Sequence, residues 1–71
     1  MIPPAQQTIL RNLASLCELS PEIRVGQLLA QLGFLAEDLC DRTLWDIEDA
    51  DLLQVIEKHR AELAGRSTHA A

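Results

Sequence analysis

Any acid–base or nucleophilic chemistry in this sequence would have to come from two thiols, two imidazoles and a run of carboxylates. These are Cys17 and Cys40, His59 and His69, and Asp46, Glu48, Asp49 and Asp51. A cysteine nucleophile needs a neighbouring base and a polar setting that favours its thiolate. Cys17 falls on an apolar helical stripe and Cys40 stands beside Leu39, so both are expected to serve as small apolar core residues. A metal centre needs about four convergent ligands. No Cys-x-x-Cys, His-x-x-x-His or Glu-x-x-His pair is present to offer two of them from one helix. The acids lack the glycine and the closing glutamate of a calcium loop, and using two of them for general acid/base work requires a pocket that desolvates one. No catalytic residue, metal or other cofactor is therefore expected.

Charge narrows the function classes further. The 71 residues carry a net charge of −5, but the excess is local. Residues 37–51 hold seven acids against Arg42 alone, while the rest has four acids and five bases, so the two parts carry −6 and +1. Nucleic-acid binding draws on a dense basic face that releases counterions from phosphates, and six scattered bases do not make one. The longest uncharged stretch, Val25 to Ala36, is far short of the roughly 20 apolar residues that span a bilayer. With no secretory signal pattern, the two thiols read as reduced and the protein as cytoplasmic.

The elements that must position these groups are helical. Thirteen Leu against five Ile and two Val favour helix over sheet, and with Phe34 and Trp45 these are the core candidates. A first helix is predicted over about 4–18, opened by Pro3-Pro4, which suit a first turn whose N–H groups have no partner. Its apolar stripe is Ile9, Leu13 and Leu16, flanked by Leu10 and Cys17. Ser20-Pro21-Glu22 reads as cap, first helical residue and dipole-complementing acid, which predicts a second helix over about 21–35 with Val25, Leu28, Leu29, Leu32 and Leu35 inward. An irregular acidic connection over 37–48 follows, with Trp45 and Ile47 alternating as in an extended segment whose apolar residues point inward. A third helix is predicted over about 49–64, with Leu52, Val55, Ile56, His59 and Leu63 as its stripe. Residues 1–64 would form one all-α domain of three main helices, and 65–71 a disordered tail.

Two features of the second helix bear on function. Gly26, Ala30 and Gly33 recur at helical spacing and make a groove of small side chains suited to close packing of another backbone; alternatively Gly33 ends the helix as a left-handed cap. Arg24, Gln27 and Gln31 form a polar row, either a solvated flank or a docking strip. Docking against Asp46, Glu48 and Asp49 is expected, since arginine holds a carboxylate bidentately.

The block Pro21-Glu22-Ile23-Arg24-Val25-Gly26-Gln27-Leu28-Leu29 and the block Trp45-Asp46-Ile47-Glu48-Asp49-Ala50-Asp51-Leu52-Leu53 together resemble a group of small, uncharacterised bacterial and phage-encoded proteins. Those share a Pro-x-x-Arg-x-Gly-Gln-Leu block and an aromatic-led Ile-Glu-Asp block that opens a helix. The resemblance covers residues 21–53 and implies a pairing of the two blocks; it implies no activity. Relatives often carry Asn at the position of Gln31.

Three functional expectations follow. The leading one is a non-enzymatic helical module that binds protein, either a second copy of itself as a homodimer or a larger assembly as an accessory subunit, because so short a chain gains from extra burial. An acidic regulator of phage or antitoxin type, occupying the basic site of a nucleic-acid-handling partner, is the alternative. A small enzyme that builds its site across a dimer interface is the third, and it would need Arg24, His59 and an acid from 46–51 to converge in a cleft.

Overall fold

The computed structural model describes the backbone of residues 1–70 and the side chains of residues 1–65. Three helices form, α1 (Pro4–Leu19), α2 (Val25–Cys40) and α3 (Asp49–Ala70), with no strand among the described residues. The small all-α bundle expected from composition and periodicity is what the chain adopts. Pro3 stands at the N-cap of α1 with Pro4 in its first turn, as their missing N–H groups favour. Ile9 and Leu16 are buried on that helix, Leu13 and Cys17 are partly covered, and Leu10 lies outside the stripe, 52 % exposed.

The second helix departs from expectation at both ends. Ser20 closes α1, its N–H donating to the Leu16 carbonyl at 3.1 Å, and its own carbonyl accepts from the Ile23 N–H at 3.1 Å. Pro21, Glu22 and Ile23 thus form a turn, and the N-cap of α2 is Arg24, in extended backbone. The Gln27 side-chain carbonyl accepts from the Arg24 N–H at 3.0 Å. That is one half of a reciprocal cap; arginine has no acceptor to complete it.

At the other end α2 does not stop at residue 35 but runs to Cys40, and Gly33 is no cap. Asp41 takes the left-handed conformation, φ 55° and ψ 40°, and its N–H donates to the Glu37 carbonyl at 3.1 Å. Aspartate tolerates this region better than most residues. The connection then closes into a turn in which the Asp46 and Ile47 N–H groups both donate to the Thr43 carbonyl, at 3.1 and 2.9 Å. It is not extended, and this overturns the alternating inward pattern. Ile47 is buried, but Trp45 is 94 % exposed.

The Leu52 N–H donates to the Glu48 carbonyl at 2.9 Å as α3 begins, with Asp49 and Asp51 in its first turn. The helix does not end before Gly65; it continues to Ala70, because an interior glycine costs only about 1 kcal/mol. Residues 66–71 of the expected disordered tail have side chains outside the described residues.

Gln6 near the start of α1 donates to Asp49 at the start of α3, 3.3 Å away, so those two helices run the same way. α2 returns the chain between them over about 24 Å. Both α1 and α2 pack on α3, whereas α1 and α2 barely meet. The core joins Ile9 and Leu16 with Leu28, Leu32 and Ala36, and with Ile47, Val55 and Ile56. Phe34, Trp45, Val25 and Leu29, expected inside, are exposed. The register of α2 explains three of them. Leu28, Leu32 and Ala36 make its inner line at four-residue steps, leaving Phe34 on another face, Leu29 at the edge and Val25 beyond the end of the core.

Asp41→Gly is expected to stabilise the fold by roughly 0.5–1 kcal/mol, raising Tm by about 2–8 °C, and Asp41→Val to lower it. Gly33→Ala should also raise Tm, since an added Cβ would meet only the Leu44 side chain, at 3.6 Å, while alanine gains up to about 1 kcal/mol in helix propensity. Thermal denaturation followed by circular dichroism tests both.

Candidate functional site

Three surfaces bring together polar or apolar groups that the core does not use. The first is an open groove of about 670 Å³ between α2 and the later turns of α3. Gln27, Gln31, Phe34 and Leu35 line one wall, and His59, Glu62 and Leu63 the other. Ser20, Glu22 and Ile23 from the α1–α2 turn close one end. The walls arise from helical spacing: 27, 31 and 34–35 share one flank of α2, and 59, 62 and 63 face it from α3. The His59 Nε2 atom is buried here without a hydrogen-bond partner. An unsatisfied buried polar atom costs about 1–3 kcal/mol.

The second surface is the outer side of α2. Gly26 has nothing near the position of an added Cβ, and Gly33 meets only the Leu44 side chain. Ala30 is exposed between them. No backbone among the described residues fills the small-residue groove. Val25 and Leu29, 60 % and 42 % exposed, continue the same uncharged region.

The third surface is the connection and its flanks. All seven acids from Glu37 to Asp51 are exposed. Asp46 accepts a hydrogen bond from the Thr43 hydroxyl at 3.1 Å and Asp49 one from Gln6. Trp45 stands among them, its ring almost wholly in solvent.

The expected polar cluster is therefore divided. Gln27 and Gln31 face His59 and Glu62 across the groove, while Asp46, Glu48 and Asp49 lie at the start of α3, at the far end of α2 from Arg24. The Arg24 side chain is exposed and forms no ion pair among the described residues. Its part in the structure is to supply the backbone N–H that Gln27 caps. Glu22, Glu62 and Phe34 belong to the groove although periodicity did not single them out; the signal was the i, i+3, i+4 spacing of His59, Glu62 and Leu63.

Within one chain the groups weighed for acid–base work stand apart among the described residues. A nucleophile and base must stand within about 2.6–3.2 Å. Among the described residues the His59 ring has no hydrogen bond to an acid or a thiol. Neither Arg24 nor any of the acids of 46–51 lines the groove that holds His59. Cys17 and Cys40 are free thiols, half-buried against the core. Among the described residues no three His, Cys, Asp or Glu side chains are placed to hold a metal ion, and no helix is long and apolar enough to cross a membrane. No protein-family model, curated protein or solved structure matches the chain.

Because His59 has an unpaired buried nitrogen, His59→Leu is expected to raise the urea midpoint, by the equivalent of up to about 1 kcal/mol. A loss of stability instead would show that the imidazole has a partner in solution, such as an ordered water.

Proposed function

We propose that this chain is a non-catalytic helical module that works by self-association, with the outer side of the uncharged first three turns of α2, residues 25–36, as its contact surface. The observation that carries the reading is a mismatch in burial. Among the described residues seven large apolar side chains and Ala36 are buried, whereas nine large apolar side chains are at least 40 % exposed. Four of those nine, Val25, Leu29, Phe34 and Leu39, belong to α2; Val25 and Leu29 lie on the proposed contact surface, while Phe34 lines the groove toward α3. A domain of this size sits at the lower limit for a self-sufficient core, and pairing adds the burial it lacks.

A second copy fits this surface for an electrostatic reason. A two-fold interface sets a patch against itself, so a charged patch opposes like with like. Val25 to Ala36 carries no charge, and Gly26 and Ala30 let a second helix approach closely. The block that resembles the small bacterial and phage proteins, residues 21–29, opens this face. Free thiols on both cysteines suit a reducing cytoplasm.

Sedimentation equilibrium is expected to give a dimer at micromolar concentration. Leu29→Glu should weaken it at least about tenfold, equivalent to 1.4 kcal/mol. Gly26→Ala supplies the more diagnostic result: stability of the monomer unchanged or higher, since nothing among the described residues meets the new Cβ, but association weaker. A strict monomer up to roughly 100 µM, some hundredfold above the affinity proposed, ends this reading.

A further inference from the structure

We infer that the Thr43–Ile47 turn is a docking site for a cationic, partly apolar segment of another protein, with Trp45 as the residue it covers. Trp45 is the single tryptophan of the chain and 94 % exposed. An exposed indole offers a large rigid apolar area, and tryptophan is the residue most often found carrying binding energy at protein interfaces. Backbone bonds on either side of it fix the turn from which it projects. Thr43 accepts from two N–H groups and its hydroxyl donates to Asp46, while the buried Ile47 anchors the turn to the core. Leu44, 40 % exposed, lies beside the ring in sequence and rests on Gly33.

Charge decides the occupant. Asp41, Asp46, Glu48 and Asp49 all lie within four residues of Trp45, a chain distance of at most about 14 Å. With Arg42 as the only base in that stretch, residues 41–49 carry −3. The acids are exposed, and Arg42 is joined to none of them by an ion pair among the described residues. A second copy meeting this patch across a two-fold would set −3 against −3, which disfavours it here as firmly as the uncharged side of α2 favours it there. Nucleic acid and anionic lipid surfaces are repelled for the same reason. An arginine-bearing segment satisfies both parts of the site: its guanidinium can stack on the indole and hold a neighbouring carboxylate, while an adjacent apolar side chain covers Leu44. This surface is separate from the pairing side of α2, so loss of either proposal leaves the other standing.

Trp45 reports on its own environment, since its fluorescence is the protein's entire indole emission. Three synthetic peptides of equal length serve as probes: one alternating arginine and leucine, one alternating arginine and serine, and one alternating glutamate and leucine. The arginine–leucine peptide is expected to produce a saturable blue shift, with affinity at least threefold above arginine–serine and falling tenfold or more between 50 and 500 mM NaCl. The glutamate–leucine peptide should produce none. Binding measured by anisotropy of labelled arginine–leucine peptide should weaken at least tenfold in Trp45→Ala and, separately, in the triple variant Asp46→Asn, Glu48→Gln, Asp49→Asn. Circular dichroism is expected to show unchanged helix in both. Absence of a shift, or equal binding by the wild type and either variant, overturns the proposal. A concentration-dependent blue shift of the protein alone also overturns it, because the indole would then be covered by a second copy.

Discussion

Val55 and Ile56 are adjacent on α3, and both are buried, at 2 % and 0 % exposure. A helix that meets one neighbour buries residues three and four apart; burying two in succession requires partners spread over a wide arc. α3 is so placed because α1 and α2 both pack on it, with their backbones less close to one another than to α3. The rest of the structure depends on this shared contact. Leu28, Leu32 and Ala36 reach it from α2, Ile9 and Leu16 reach it from α1, and Ile47 pins the connection to the same cluster. With one helix serving two partners, neither flanking helix is covered on its far side. That is why α2 can be amphipathic and still leave Val25, Leu29 and Phe34 in solvent.

The same constraint explains where polar groups collect. Beside the contact of α2 with α3 the surface opens into the groove that holds His59, Gln27 and Gln31. A third helix packed closely on both would fill such a space with side chains. Here it stays open, and the His59 Nε2 atom is left without a partner at its wall. The connection, for its part, must return the chain from the end of α2 to a point beside Gln6. It does so through a tight turn whose hydrogen bonds are local. Acids suit that position because it leads into the N-terminus of α3, where the helix dipole favours negative charge. One carboxylate near the first turn would suffice for the dipole; seven in fifteen residues exceed that need.

The helices and their inner stripes were legible in the sequence because apolar spacing of three and four residues states them directly: Ile9 and Leu16, Leu28 and Leu32, Val55 and Ile56 were all placed inward. The boundaries of α2 were not. Ser20-Pro21-Glu22 carries the same signal whether Ser20 opens the next helix or closes the last, and only the competing cap from Gln27 decides it. Trp45 was misplaced because alternation with Ile47 presumes an extended chain, whereas the Thr43 carbonyl bends it into a turn. The partition of Arg24, Gln27 and Gln31 from the acids was also out of reach. All three share a flank of α2, but which residues face that flank depends on the direction of α3, and no local pattern encodes a tertiary direction. Even so, the concentration of charge in 37–51 and its absence from Val25 to Ala36 were plain in the sequence, and those are the quantities that distinguish the two outer surfaces.

That separation of charge has a geometric consequence. Two copies joined through the N-terminal half of α2 would keep their acidic turns away from the two-fold contact, since the turn follows the opposite end of the helix. Each dimer would then present two Trp45 sites on one rigid frame. A partner carrying two cationic segments would meet the second site at an effective concentration set by the linker between them, and such pairing raises overall affinity by factors of about 10²–10⁴ without any new contact. A monomer gains nothing from this, nor does a dimer whose interface buries the turn. The two proposed surfaces would be complementary in that sense: copies would meet through residues 25–36, which carry no charge, while the excess of acids is gathered around the one aromatic side chain left in solvent at the turn.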